Sequence, residues 1–286
     1  MVTRGGRRLI TYCRESALGQ KQASRMFATL CALLLGGILV LGGGIVSVAQ
    51  EESTDWMPIA VGVDRAHTTL PSGDAVVMVR INIDKANLRV VDVRNEEGVG
   101  QEADRVAEKG NHVLAANAGF FDIDRTPMGL LISDGVEIQG IREVDWGVFF
   151  LDEDGAHIVH TKEYAPTKAV LQAIQTGPRL VVGGKPTKLK AQSARRTAIG
   201  ICPGNHVLLL VAPSPLEATS LAQAFVDHHC SDALNLDGGP STQLTLGDGQ
   251  RWEHIEGGTA VPTMLVVDAV ALPADQRKKT RGRCNR

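Results

Sequence analysis

The chain has 286 residues, of which 43% are hydrophobic and 22% charged, so it has room for one large globular domain or two small ones. Its net charge of −2 hides an acidic body, because residues 51–276 hold 31 acidic and 18 basic residues between two basic ends. An acidic surface repels phosphate backbones, and this composition argues against a nucleic-acid partner.

The N-terminal segment predicts a membrane anchor. Residues 26–49 are uncharged and apolar over a length that crosses a bilayer as a helix. Basic residues precede this run and acidic residues follow it, so the positive-inside rule leaves residues 1–25 in the cytoplasm and exports the remainder. Residues 47–49 have the small-x-small form of a signal-peptidase site, so a cleaved signal peptide is the alternative. The length of the run favours the uncleaved anchor, with the membrane as a partner through residues 26–49.

The first half of the exported body predicts strands and one helix. Alternating apolar and polar residues predict strands over 75–83 and 88–93. Helical spacing from Gln101 to Lys109 predicts a helix capped by Gly110. Further short strands, two pairs of them joined as hairpins by Asp-Gly or Asp-Glu-Asp-Gly turns, are expected at 113–117, 128–133, 136–139, 148–151 and 157–160.

The second half continues in the same way. Apolar runs predict strands at 179–182, 197–202, 206–212 and 263–270. Ser214, followed by Pro215 and Glu217, matches a helix start with a capping box, so we expect a helix from Ser214 to about His229. A short strand then leads into Asp237. The simplest fold class is α+β, one domain over residues 56–272 with mixed or antiparallel sheets and a few packed helices, followed by a basic, disordered tail at 273–286.

The cysteines indicate the redox compartment. Of the five, Cys202, Cys230 and Cys284 lie outside the predicted membrane segment. In an oxidising compartment Cys202 and Cys230 are a plausible disulfide, and two buried thiols are the alternative. The sequence has no CxxC and no His-Glu-x-x-His, so it predicts no metal site.

The segment at 117–122 groups aromatic and polar residues where an apolar strand ends. Because Phe120 and Phe121 are adjacent, one ring should face the core and the other the loop surface, where a sugar can pack. Asn117 and Asp122 add hydrogen-bonding groups at the same end. A loop that is merely anchored in the core by its aromatic rings is the alternative.

Arginines at two strand ends are candidates for binding an anion. Arg179 follows a Gly-Pro turn, a rigid position suited to a bidentate contact with phosphate or carboxylate. A salt bridge to one of the many acids of the body is the alternative. Neighbouring residues on a strand face opposite sides, so only one of Arg195 and Arg196 can share a site with Arg179.

Residues 235–242, Asn-Leu-Asp-Gly-Gly-Pro-Ser-Thr, carry the strongest signal in the chain. A short apolar strand delivers Asp237 to a turn that two glycines open and Pro240 stiffens. Ser241 and Thr242 place two hydroxyls within five residues of the carboxylate. A tight Asp-Gly turn between two strands is the alternative for this segment taken alone.

Five segments together resemble the phosphodiester glycosidase family, in the order in which the family carries them. They are residues 117–121, 127–135, 175–180, 196–200 and 235–242. The resemblance extends over roughly residues 75–270. Ala118 and Pro240 stand where the family usually has glycine, and Pro240 rigidifies its loop and removes one N–H donor.

The resemblance implies hydrolysis of the glycosyl–phosphate bond of a sugar-1-phosphodiester, by an exported or membrane-anchored enzyme acting on a glycan or envelope polysaccharide. Asp237 is then the principal catalytic carboxylate, and Asp122 a second carboxylate or a sugar ligand. The resemblance selects Arg196, which adjoins Thr197, so that Arg179 and Arg196 hold the phosphate. The remaining contacts to sugar or phosphate are expected from Asn117, Phe120, Thr197, Gly238, Gly239, Ser241 and Thr242.

No cofactor is required for this chemistry, and a divalent cation on Asp237 is compatible with it. The expected partner is a carbohydrate phosphodiester. One alternative is a non-catalytic envelope module that binds an anionic glycan or teichoic-type polymer through the same residues. A second is a structural interaction domain, in which the arginines pair with internal acids and line no cleft.

Overall fold

The computed structural model describes residues 54–248 and 251–273. Within them the strands β1 to β18 are, in chain order, Met57–Ala60, Val63–Thr69, Ala75–Asn82, Asn87–Asp92, Leu114–Asn117, Leu131–Ser133, Val136–Gln139, Gly147–Asp152, Gly155–His160, Gln172–Thr176, Arg179–Val182, Lys185–Pro186, Ser193–Cys202, His206–Glu217, Asp232–Asn235, Leu244–Gly247, Trp252–Ile255 and Thr263–Asp268. Two α-helices accompany them in the described residues, α1 at Ala103–Gly110 and α2 at Ala218–Asp227. Short 3-10 helices occupy Thr161–Glu163 and Gly239–Ser241.

The strands form three sheets. The eight-stranded sheet has the order β1-β2-β3-β14-β13-β15-β11-β12. The two five-stranded sheets have the orders β7-β6-β10-β8-β9 and β17-β16-β5-β18-β4. Each pairing of these named strands is antiparallel, so the sheets are antiparallel rather than mixed. The described residues all belong to one compact unit.

The three sheets share one central core. Buried hydrophobic residues from each sheet meet there, among them Val79, Phe149 and Leu265. Helix α2 covers the opposite face of the eight-stranded sheet, where Leu221 and Phe225 pack. Strand β14 is therefore buried on both faces, which accounts for its unbroken apolar run from residue 207 to 212. We call the two faces of this sheet the inter-sheet face and the helix face.

Helix α1 overlaps its predicted position but begins two residues later, at Ala103, and ends one residue later. Its last helical residue is Gly110, and Asn111 is the C-cap with φ 54°, donating its N–H to the carbonyl of Ala107. Asparagine is the residue that most often replaces glycine in this left-handed conformation. Glycine is favoured at position 110 for a reason other than the left-handed cap, because a Cβ there would lie 2.1 Å from Nε2 of His112.

The predicted start of α2 is wrong. Strand β14 continues through Ser214 and Pro215 to Glu217, and the helix begins at Ala218. The extension pairs with β13, where Leu216 faces Ala194 and Glu217 faces Ser193. Tertiary pairing with a neighbouring strand therefore overrides the local capping pattern.

A disulfide joins Cys202 at the end of β13 to Cys230 after α2. It ties the C-terminal end of the helix to the sheet that the helix covers. The structure thus takes the bridged arrangement of the two that the sequence allows.

The expectations for both ends of the chain lie outside the described residues. At the N-terminus these are the cytoplasmic segment 1–25 and the membrane or signal segment 26–49, and at the C-terminus residues 274–286 of the basic tail. Among the residues that are described, neither helix has the length and apolar character needed to cross a bilayer.

Candidate functional site

The Asp237 loop, residues 236–242, follows strand β15 and is hydrogen-bonded to side chains of β5 and β13, which belong to two different sheets. Gly238 cannot be replaced without movement, because a Cβ would lie 2.7 Å from the carbonyl oxygen of Arg195. Gly239 has φ +59°, the left-handed region that glycine adopts without strain. The two glycines therefore have separate roles, one for close packing and one for the turn.

The carboxylate of Asp237 lies in a desolvated environment. Burial raises the pKa of Asp237, while hydrogen bonds from Ser241 and the Gly238 N–H act in the opposite direction. The Gly238 N–H donates to Oδ1 at 2.8 Å. The side chain is partly exposed, so it can meet a ligand while most of its solvation is lost. A carboxylate with this combination is a candidate for a functional site.

Asn117 holds the backbone of the Asp237 loop through its side-chain amide. Its Nδ2 donates to the carbonyl of Asp237 at 2.7 Å. Its Oδ1 accepts from Oγ1 of Thr197 at 2.7 Å and from the N–H of Gln243 at 3.1 Å. The Asp237 N–H donates to the carbonyl of Ala118 at 2.9 Å. The polar groups of Asn117 and the hydroxyl of Thr197 are thus engaged within the protein, where they position Asp237.

Gln243 is a positioning residue that the sequence reasoning missed. Its side chain accepts from the N–H of Ala103 at 2.8 Å, at the start of α1. It donates to the carbonyls of Ser241 at 3.1 Å and Thr259 at 3.0 Å. Gln243 is buried, and a buried amide requires partners, but no local pattern in the sequence indicates this burial.

Of the two adjacent arginines, Arg195 and not Arg196 faces the Asp237 loop. Nη2 of Arg195 donates to the carbonyls of Thr242 at 2.9 Å and Glu256 at 2.7 Å. Arg196 lies on the helix face, where its guanidinium donates to the carbonyls of Gln192 and Leu216. Burial lowers the pKa of Arg196.

The choice of Arg196 over Arg195 is therefore wrong, because the Arg196 side chain points away from the Asp237 loop. Thr197 points to the inter-sheet face, and a strand alternates its side chains, so its immediate neighbour must point away from it. Arg195, two residues from Thr197, shares its face. Adjacency to Thr197 in sequence therefore does not identify the arginine that shares a face of the strand with Thr197.

Three buried polar atoms near this loop have no hydrogen-bond partner among the described residues. They are Nε of Arg195, Oδ1 of Asn235 and Oγ1 of Thr242. Each residue belongs to the 235–242 segment or donates to it. A buried polar atom without a partner costs about 1–3 kcal/mol, and a group of three such atoms is typical of a functional site rather than of a packed core.

An aromatic pair borders the loop. The rings of Phe120 and Trp146 are 5.0 Å apart at an angle of 61°. Trp146 packs on Gly177, where a Cβ would lie 2.9 Å from its Cδ1. The Gly177 carbonyl in turn accepts from Nδ2 of Asn235 at 3.2 Å. The pair is partly exposed, so it offers an apolar face next to the segment that carries Asp237.

Arg179 lies on the inter-sheet face but is not free of acids. Its side chain packs over Gly147, and Nη1 is 3.9 Å from Oε2 of Glu163. Glu163 is 67% exposed, and an ion pair of this length in solvent is weak. Two roles were predicted for Arg179, anion binding and pairing with an acid. Its position is compatible with both.

Asp122 lines a separate cleft of about 370 Å³ that Asp237 does not line. Its carboxylate accepts a hydrogen bond from the N–H of Ile123 at 2.7 Å. Arg142, which the sequence reasoning did not single out, lines the same cleft and lies 6.0 Å from the Trp146 ring. We call this the Arg142 cleft.

The described residues contain no group of three or more His, Cys, Asp or Glu that could hold a metal ion. A divalent cation on Asp237 is compatible with the expected chemistry but not required by it, and nothing in the structure tests its binding.

Comparison with known proteins identifies a family. The model of the phosphodiester glycosidase family matches residues 110–268, more than half of the chain. The match includes the Asp237 loop, both aromatic residues and Arg142. None of the curated protein sequences compared with the chain matches it.

Solved structures show a similar fold at low sequence identity. The catalytic domain of zebrafish N-acetylglucosamine-1-phosphodiester alpha-N-acetylglucosaminidase, auto-inhibited by its pro-peptide, superposes with a TM-score of 0.57 at 17% identity, over 76% of this chain and 84% of that one. A hypothetical protein from Synechocystis superposes with a TM-score of 0.50 at 15% identity, over 73% of this chain and 62% of that one. At these identities the likeness concerns the fold alone.

Proposed function

Because this chain belongs to the phosphodiester glycosidase family, we propose that it hydrolyses the glycosyl–phosphate bond of a sugar-1-phosphodiester. The observation that carries the proposal is the carboxylate of Asp237, which is partly desolvated, hydrogen-bonded by Ser241 and Gly238, and held at its backbone by Asn117. A turn without further function needs no such support.

The chemistry fits one well-placed carboxylate. Cleavage of a glycosyl bond passes through an oxocarbenium-like state, which a carboxylate stabilises or attacks. Desolvation strengthens this interaction, because the charges are less screened than in water. The leaving group is a phosphate monoester that departs as an anion, so the reaction depends less on a strong general acid than hydrolysis of an ordinary glycoside.

Binding needs an apolar surface for the sugar and a cation for the phosphate. The Phe120–Trp146 pair supplies the first, since a sugar ring packs its C–H face on an aromatic ring. Of the two arginines expected from the sequence, Arg179 is the one on the inter-sheet face. Asp122 fits the role of a sugar ligand better than that of a second catalytic carboxylate, because it lines the neighbouring cleft.

We further propose that the enzyme acts outside the cytoplasm, on a glycan or envelope polysaccharide, anchored through residues 26–49 or released from them. The disulfide between Cys202 and Cys230 supports this location, because such bonds persist in oxidising compartments. The acidic residues that follow the apolar run support the same orientation.

The test is to incubate the purified protein with sugar-1-phosphodiesters and measure released free sugar. We expect hydrolysis by the wild-type protein and a loss of at least about 100-fold in kcat for Asp237→Asn, the usual effect of removing a group that stabilises developing charge. Asp104→Asn, an exposed residue in the first turn of α1, is the matched control and should keep full activity.

Two outcomes would contradict the proposal. Full activity of Asp237→Asn would remove the catalytic assignment. Recovery of bound substrate chemically unchanged would favour a non-catalytic glycan-binding module instead.

A further inference from the structure

We propose that the Arg142 cleft binds the alcohol side of the phosphodiester, with Arg142 as a ligand of the phosphate in addition to Arg179 and the acceptable alcohol a polyol. This rests on the proposed function and adds the substrate class and the subsite. The cleft is formed by the turn at 122–128 and residues 139–142, and its volume of about 370 Å³ is that of a small-molecule site.

Arg142 is an available cation. No carboxylate in the described part of the chain lies within ion-pair distance of its guanidinium, whereas Arg179 faces Glu163. The Arg142 side chain is exposed and lies 6.0 Å from the ring of Trp146. A guanidinium in this state can give both of its paired N–H groups to a phosphate.

A buried glutamine holds Arg142 in place. Oε1 of Gln175 accepts from the Arg142 N–H at 2.9 Å, and Nε2 donates to the Arg142 carbonyl at 2.6 Å. Gln175 is 2% exposed and also holds the Leu130 N–H at 3.0 Å. A Cβ on Gly129 would lie 2.7 Å from Oε1, so this position requires glycine. The loop is therefore ordered before any ligand arrives, which lowers the entropic cost of binding.

Contacts connect the cleft to the aromatic pair. The centroid of the Trp146 ring is 6.0 Å from the guanidinium carbon of Arg142 and 5.0 Å from the centroid of the Phe120 ring. The Phe120 carbonyl accepts from the N–H of Met128, which lines the cleft, at 2.9 Å. A substrate with its sugar on the aromatic pair thus extends its phosphate and alcohol toward Arg142.

The acids of the cleft determine which alcohol fits. Asp122 and Asp124 are exposed, and hydrogen bonds with Thr126 lower the pKa of Asp124, which stays ionised. Two carboxylates repel a bare phosphate but accept hydrogen bonds from hydroxyl groups. The arrangement favours a phosphate ester whose alcohol carries further hydroxyls over one that carries none.

The test is direct binding by isothermal titration calorimetry, with glycerol 3-phosphate and methyl phosphate as probes. We expect the wild-type protein to prefer glycerol 3-phosphate, and Arg142→Met to weaken its binding by about 10- to 100-fold, as for the loss of a charge-assisted pair. Replacing both acids, as Asp122→Asn with Asp124→Asn, should remove the preference for glycerol 3-phosphate. Arg105→Met is the matched control, because Arg105 is 68% exposed and the ion pair of its guanidinium with Glu102 is long, at 4.0 Å.

A dissociation constant for Arg142→Met within twofold of the wild-type value would overturn the inference, as would a wild-type preference for methyl phosphate. Binding is measured without turnover, so the two proposals fail separately. Arg142-dependent binding without hydrolysis contradicts the proposed function alone, whereas hydrolysis that Arg142→Met leaves unchanged contradicts the subsite alone.

Discussion

At the scale of single residues, Asp237 combines two demands that oppose one another. Its desolvation strengthens interactions with a developing positive charge, but it also makes the ionised carboxylate costly in the folded protein. Ser241 and Gly238 offset part of this cost without removing it. A buried carboxylate with such a cost is more readily explained by chemistry than by packing.

This cost predicts how stability depends on pH. A carboxyl group whose pKa is raised by folding binds its proton more tightly in the folded chain. The free energy of unfolding therefore falls as the pH rises from the unfolded pKa, about 3.9, through the folded one. We predict that Asp237→Asn removes this fall and is more stable than wild type at pH 7, by on the order of 1 kcal/mol.

Urea unfolding at pH 3 and pH 7 checks the prediction, with Asp104→Asn as the control. At pH 3 the carboxyl is protonated in both states, so the advantage of Asp237→Asn should vanish. A variant that is less stable than wild type at pH 7 would mean that the carboxylate has a stabilising partner, such as a bound cation.

At the scale of elements, the Asp237 loop is held by contacts from three directions. Strand β5 supplies Asn117, strand β13 supplies Thr197 and Arg195, and Gln243 connects the loop to α1. The loop itself has little regular structure, so these contacts determine where the carboxylate lies. Small displacements of such a loop cost rate even when the fold persists.

Gly238→Ala tests whether activity depends on the position of the Asp237 loop. The added Cβ would lie 2.7 Å from the Arg195 carbonyl, so we predict that the loop shifts and kcat falls by about 10- to 100-fold. Gly200→Ala is the matched variant, because its Cβ would meet the Phe225 ring at 2.5 Å on the helix face. It should lower stability, by about 1–3 kcal/mol, more than activity.

Steady-state kinetics and melting temperatures of both variants provide the measurement. The prediction is contradicted if the two substitutions lower activity to the same extent at a temperature where both proteins are folded.

At the scale of the whole molecule, the three sheets converge on one aliphatic core while α2 closes the outer face of the largest sheet. The disulfide between Cys202 and Cys230 links that helix to β13 across a sequence separation of 28. A cross-link of this span restricts the unfolded chain and typically stabilises the fold by about 2–4 kcal/mol.

We therefore predict that replacing both cysteines by serine lowers the melting temperature by roughly 5–15 °C while kcat below the transition is unchanged. Differential scanning calorimetry with and without reductant is the measurement. Reductant should lower the melting temperature of the wild-type protein and leave that of the double variant unaltered. Equal melting temperatures of oxidised wild type and double variant would show that the bridge does not stabilise the fold.

Local patterns in the sequence determined most strands, because alternation and Asp-Gly turns act over a few residues. The hairpin at Asp134 and Gly135 is an example, with φ values of 49° and 79° that suit its tight turn. The same patterns located the segment 235–242 and the family to which it belongs. They could not decide between Arg195 and Arg196, since the face of a strand depends on what packs against it.

Only the tertiary structure showed which side chains meet. It extended β14 through the expected helix start, placed Arg195 beside the Asp237 loop, and brought Gln243 and Arg142 into positions that their own surroundings in sequence do not reveal. Their partners lie far along the chain, as in the contact between Gln243 and Ala103. Short-range preference therefore determined the elements and the carboxylate, whereas long-range packing decided what surrounds it.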